Sequence, residues 1–142
     1  MIVDRPDAVQ TTLMLGLPVP DPSDPGYVKL AVTNSLLGGY FSSRITTNIR
    51  EDKGYTYGAG SFFMYLKGMG PFLAYTQVHT EYTKETIVEM LKEYRGIAGE
   101  IPVTEEELSE TKKYMTLRYP REFETISQIA GKLGEIVTYD LP

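Results

Sequence analysis

The chain contains no cysteine and a single histidine, His79. The first absence excludes disulfides, thiolate catalysis and cysteine-based zinc sites within this chain. The second excludes most metal and triad chemistry. A catalytic zinc site takes about three protein ligands, typically histidines, with a carboxylate base nearby. His79 with Glu81 and Glu85 is the nearest approach to such a cluster, and its plainer reading is that His79 ends a strand. No metal ligand set is therefore expected. A Ser/His/Asp triad would have to take His79 as its base, and no serine stands in a Gly-x-Ser-x-Gly elbow. There is no Walker motif. Gly58-Ala59-Gly60 and Gly68-Met69-Gly70 lack the continuation a phosphate loop needs. They read instead as places where backbone crowds or turns.

Long apolar runs are missing as well, and none approaches the roughly 20 residues of a membrane helix. The opening Met1-Ile2-Val3-Asp4-Arg5-Pro6 has neither the basic region nor the apolar core of a signal peptide. The expectation is a soluble chain with no membrane partner and no targeting signal, its compartment left open. Basic residues are in deficit: 14 Lys and Arg against 19 Asp and Glu give a net charge of -5. Sequence-independent binding to DNA or RNA needs a basic face that displaces counterions, so no nucleic-acid partner is expected.

What is present fits one ordinary domain, 1–142. A domain of this size buries about two thirds of the surface its unfolded chain exposes. The 11 tyrosines and 5 phenylalanines could form a peptide or sugar platform. They could equally ring a small core with hydroxyls in water.

Local signals give an element order. Residues 9–17 read as a strand. Asp24-Pro25 reads as an N-cap and first helical position, opening a helix that carries Tyr27, Leu30, Ala31, Asn34 and Leu37 on one face and stops at Gly38-Gly39. Ser42 or Ser43 caps a shorter helix with Ile45 and Ile49 inward. Residues 55–65 and 71–79 read as strands joined through Lys67-Gly68-Met69-Gly70. Thr83 caps a helix that buries Ile87, Leu91 and Tyr94 or their neighbours. Thr104 and Glu107 form a capping box, and the acidic cluster Glu105, Glu106, Glu107 and Glu110 suits a helix N-terminus. Pro120 breaks that helix near Arg118. A last helical pattern places Phe123, Ile126, Ala130, Leu133 and Val137 at helical spacing. The order β, α, α, β, β, α, α, α predicts an α+β fold, a mostly antiparallel sheet with helices packed on one face.

The densest segment runs from Leu36-Leu37-Gly38-Gly39 through Ser42-Ser43-Arg44 to Arg50-Glu51-Asp52-Lys53-Gly54-Tyr55-Thr56-Tyr57. It reads as a close-packed glycine turn, a short helix, and a glycine stop before a strand. Arg50 stands near the helix C-terminus and Tyr57 near the strand start, so reversal at Gly54 can bring the two together. The pair supplies donors from a guanidinium and a donor-acceptor from a phenol, suited to a carbonyl or carboxylate. The plainer reading is an arginine serving the helix dipole and an ordinary strand tyrosine.

This segment resembles the C-terminal-half signature of the insulinase/pitrilysin family of zinc peptidases, relatives of the mitochondrial processing peptidase. The matching residues are Leu37-Gly38-Gly39, Ser42-Ser43-Arg44, Ile49-Arg50-Glu51, Lys53-Gly54, Tyr55, Tyr57 and Ser61. The stretch Asp4-Arg5-Pro6-Asp7-Ala8-Val9-Gln10, the pair Leu15-Gly16 and residues 126–141 are similar too. The resemblance implies a LuxS/processing-peptidase-like half-domain, one of two homologous halves that close around a peptide substrate. It implies that zinc, held by His-x-x-Glu-His, belongs to the complementary half, in the same polypeptide or a partner subunit, so that a homo- or heterodimeric parent is one arrangement. It assigns Arg50 and Tyr57 to binding the substrate backbone and stabilising developing charge, and Gly38, Gly39, Ser43, Arg44 and Gly54 to shaping the motif. Taken alone, the chain is then a fragment of a longer protein that binds no zinc and cleaves no peptide. Two other readings stay open: a structural or regulatory homologue without peptidolysis, and a stand-alone small-molecule binding module.

Overall fold

Three antiparallel strands in the order β1-β3-β2 form the sheet. The computed structural model describes residues 5–142, and the similarity at Asp4 lies outside them. The elements are β1 (Gln10–Pro20), α1 (Tyr27–Asn34), α2 (Arg44–Thr46), β2 (Ala59–Phe63), β3 (Met69–His79), α3 (Thr83–Gly96), α4 (Glu105–Arg118) and α5 (Ile126–Tyr139). This is the α+β order read from the sequence. β1 pairs with β3 from Gln10↔His79 to Pro20↔Met69, and β2 pairs with β3 from Ala59↔Thr76 to Phe63↔Phe72.

Alternation along β3 decides which face is covered. Gly70, Phe72, Ala74, Thr76 and Val78 are buried, while Tyr75, Gln77 and His79 between them are exposed. The buried set packs under Leu37, Ile45, Ile49 and Met90 from the helices, with Leu15, Val19, Phe63 and Tyr94 at the margin. Among the described residues, the opposite face of the sheet carries no helix and shows Met14, Phe62 and Tyr75 to solvent. Among the described residues, no helix is long and apolar enough to cross a membrane.

Several boundaries differ from the sequence reading. β1 continues through Pro18 to Pro20, beyond the expected 9–17, because it is an edge strand and a missing N–H there breaks no ladder on its open side. β2 is five residues rather than 55–65, since residues 54–58 are spent on the bend that enters it. α1 begins at Tyr27, after the expected cap. Asp24 still does capping work, accepting from Gly26 N at 2.6 Å. Thr83 is the first residue of α3 rather than its cap. The fully buried face of α3 is Thr86, Met90, Glu93 and Gly96, with Ile87, Leu91 and Tyr94 half-buried beside it. That face is turned one position from the expected stripe: it places Met90 in the core, and Glu93 on it accepts from Asn48 Nδ2 at 2.7 Å.

The Thr104–Glu107 capping box forms in both directions. α4 ends at Arg118, and Pro120 sits in the 3₁₀ turn Tyr119–Phe123 that follows. A second capping box, Thr125 with Gln128, opens α5. It was not singled out in the sequence, although Thr-x-x-Gln is its signature. The apolar residues of α5 repeat at helical spacing but are not buried: Ile126 is 87% and Val137 82% exposed.

Candidate functional site

The glycine pair sets the geometry of the site. α1 widens after Asn34 into one π turn, Ser35–Gly39, which brings Gly38 directly against β2. A Cβ on Gly38 would sit 2.8 Å from Ser61 N, so nothing larger than glycine fits. Ser61 is buried and donates from Oγ to Asn34 Oδ1 at 2.7 Å. Gly39 then releases the chain into extended backbone at Tyr40 (φ -150°, ψ 173°).

Ser43 is the N-cap residue of α2, at φ -72° and ψ 158°. Its hydroxyl is 3.0 Å from Thr46 Oγ1, which itself donates to Ala59 O at 2.9 Å. Ser43 is therefore the donor to Thr46, and this relay ties α2 to the start of β2. Arg44, at the first position of α2, reaches across to α4. Its Nε donates to Glu107 Oε1 at 2.6 Å and its Nη2 to Glu107 Oε2 at 2.7 Å. The remaining donors reach Ile101 O at 2.7 Å and Pro102 O at 3.0 Å. The same Glu107 carboxylate accepts from Thr104 N at 2.9 Å. The Arg44 guanidinium holds the Glu107 carboxyl down at about 2, with the Thr104 contacts adding to the effect. The Arg44 signature and the capping box are thus one network, a link that sequence alone did not supply.

Arg50 lies in a second π turn, Thr47–Asp52, that extends α2. Such turns hold one extra residue and are frequent at functional sites. The segment closes with Lys53 N donating to Asn48 O and Tyr55 N to Ile49 O, both at 3.0 Å. Tyr55 reaches one residue further back than in an ordinary Schellman end. Gly54, between them, has φ 66°, the left-handed conformation expected of the stop.

Tyr57 stands in the bend two residues before β2, not in a strand, and is 95% exposed. Arg50 and Tyr57 both line one open cleft of about 430 Å³ whose floor is Gly38 and Gly39 and whose walls include Phe41 and Tyr75. A second cleft, of about 530 Å³, continues over the helix-free face of the sheet past Met14, Phe62 and Gln77. Tyr57 and Tyr75 border both clefts. Phe41, Phe62 and Tyr75 were not read from the sequence as site residues. The outward phase of the strand alternation is the signal for the last two. A larger cleft of about 640 Å³ lies beyond β2, against α1 and α4, and holds neither Arg50 nor Tyr57.

The side chains of Arg50 and Tyr57 form no hydrogen bond among the described residues. Arg50 Nη1 is 3.2 Å from Glu51 Oε1. The arrangement offers a guanidinium and a phenol to one volume, with donor capacity to spare. Among the described residues no group of three or more His, Cys, Asp or Glu side chains is placed to hold a metal ion.

Comparisons with known proteins bear on this site. Curated proteins give no match. Among solved structures, the peptidase M16 inactive domain from Pseudomonas fluorescens is 29% identical, with a TM-score of 0.84 over 95% of this chain and 32% of that one. A protease from Helicobacter pylori superposes with a TM-score of 0.77 at 22% identity, covering 97% of this chain and 33% of that one. The inactive peptidase domain of a zinc protease from Bordetella parapertussis gives 0.73 at 15% identity, over 96% of this chain and 74% of that one. The chain thus spans about a third of the length of the first two structures, and the likenesses below 25% identity speak for the fold alone. The family model described as the peptidase M16 inactive domain matches residues 1–115. This chain belongs to that family.

Proposed function

We propose that this domain forms the wall facing the zinc in the substrate chamber of a two-half endopeptidase, with Arg50 and Tyr57 gripping the peptide backbone. The observation that carries this reading is the shared cleft: two donor groups, brought from a helix end and a bend, open onto one volume, and only one nitrogen of Arg50 is engaged, by Glu51. The complementary half, in the same polypeptide or a partner subunit, would hold the zinc, and that metal would supply an activated water. This chain's residues bind and orient. The guanidinium and phenol donate to a peptide carbonyl, and their hydrogen bonds strengthen as negative charge builds on that oxygen. Around them, the glycine floor lets an extended backbone approach closely, because no side chain stands between it and the cleft bottom.

Kinetics of the full-length peptidase test the reading. Arg50→Ala or Tyr57→Phe is expected to lower kcat/KM by about 10², with zinc content and melting temperature unchanged. The double variant should lose less than the product of the two single losses, since both groups serve one charge. Wild-type turnover by Tyr57→Phe would defeat the assignment. A parent lacking His-x-x-Glu-His in either half would favour a structural or regulatory role instead.

A further inference from the structure

Arg50 is held from one side by an aromatic ring. Its Cζ lies 4.3 Å from the centroid of Phe41. Phe41 is 66% exposed and is not a member of the core cluster, so burial does not account for it. The local backbone does account for where the ring goes. Tyr40 is extended, and successive side chains on extended backbone project to opposite sides. The Tyr40 ring stacks on Tyr114 of α4 with centroids 4.4 Å apart, and the turn closes through Ser43 N donating to Tyr40 O at 3.1 Å. With Tyr40 fixed against α4, Phe41 is left facing Arg50 across the cleft mouth.

A guanidinium is weakly hydrated on its faces and stacks on aromatic rings, while its N–H donors lie around its edge. A ring on one face therefore restrains the group without using a donor. We infer that Phe41 is the positioning residue for Arg50, restraining its guanidinium over the cleft so that the edge donors remain available to a peptide carbonyl. The inference rests on the substrate-binding role proposed for Arg50. Glu51, at 3.2 Å, restrains one nitrogen of the same group, so Phe41 and Glu51 together limit the orientations open to the side chain.

The test has two arms. In the chain itself, ¹⁵N relaxation of Arg50 Nε reports the order of the guanidinium. Phe41→Leu should lower that order and Phe41→Tyr should preserve it, with the melting temperature unchanged in both because the ring is largely in water. In the full-length peptidase, Phe41→Leu should lower kcat/KM about two- to fivefold, the size of an exposed cation–π contact. In an Arg50→Ala background it should lower it no further. Unchanged order at Arg50 in Phe41→Leu overturns the inference, as does a Phe41→Leu loss that persists in Arg50→Ala. If Arg50→Ala turns over like the wild type, the substrate role of Arg50 fails, and the relaxation arm alone decides whether Phe41 restrains it.

Discussion

Neutralising Glu107 should unfasten α4 from α2, and the size of the effect follows from the geometry. Glu107 takes two short bonds from Arg44 and one from Thr104 N. Its carboxyl, ordinarily near 4.5, is held at about 2. At about 1.36 kcal/mol per tenfold change in proton affinity, a dry pair would be worth about 3 kcal/mol. One third of the Glu107 side chain is open to water, which screens the pair and brings the expectation to about 1–2 kcal/mol. Glu107→Gln tests it cleanly, because the amide oxygen can still accept from Thr104 N while the charge is gone. Since the folded-state value is depressed, the stabilisation is complete above about pH 4.5 and is lost as the pH falls through about 2. Urea unfolding at pH 7 should show the full loss in Glu107→Gln, and the gap from wild type should narrow steadily from pH 5 to pH 2. Arg44→Lys should lose nearly as much, because an ammonium cannot reproduce four bonds to acceptors on three residues. A gap that is below about 0.5 kcal/mol, the usual scatter of surface substitutions, or that does not change with pH, would refute the reasoning.

Gly54→Ala should cost about 1–2 kcal/mol by urea unfolding from its positive φ alone, since no atom lies within 4 Å of the added methyl; an unchanged midpoint would dispute the left-handed bend. Gly38→Ala should cost about 1–3 kcal/mol, because the methyl meets the backbone of Ser61, and crystals of a tolerated variant should show β2 displaced. Asn48→Asp sets a third carboxylate beside Glu89 and Glu93, to which the Asn48 amide donates at 3.1 and 2.7 Å. The expected loss is about 2–3 kcal/mol at pH 7, and thermal melts should recover as the pH falls and the new acid takes up a proton.

Much of the order was legible because the chain is punctuated. Gly38-Gly39, Gly54, the Thr104 box and Pro120 each impose a local rule that tertiary context did not override, and the sign of φ at Gly54 follows from its place alone. What was not legible depends on partners distant in sequence. Arg44 finds Glu107 at a sequence separation of 63, and nothing local announces it. The buried face of α3 includes Glu93, a carboxylate that side-chain polarity alone would place in water and whose partner, Asn48, lies 45 positions away. The two π turns leave no compositional trace, since they differ from α-helix only in which carbonyl each N–H finds. That Arg50 and Tyr57 could share one cleft followed from the motif, but the place of Phe41 beside Arg50 did not, because its direction is set by Tyr40 stacking on a helix far along the chain.

The strand order has a consequence for how the domain assembles. β2 and β3 meet across a short connection, with Phe63 opposite Phe72, whereas β1 must wait for partners from Pro20↔Met69 out to Gln10↔His79. Closing that long loop costs chain entropy before any contact is gained. The hairpin and the glycine turn lodged against it should therefore form early in folding, with β1 docking late. Substitutions in β1 such as Leu15→Ala should leave the refolding rate nearly unchanged and speed unfolding, while substitutions at Phe72 should slow refolding. Until β1 docks, one long edge of β3 stands open to other chains, so the yield of refolding should fall as protein concentration rises.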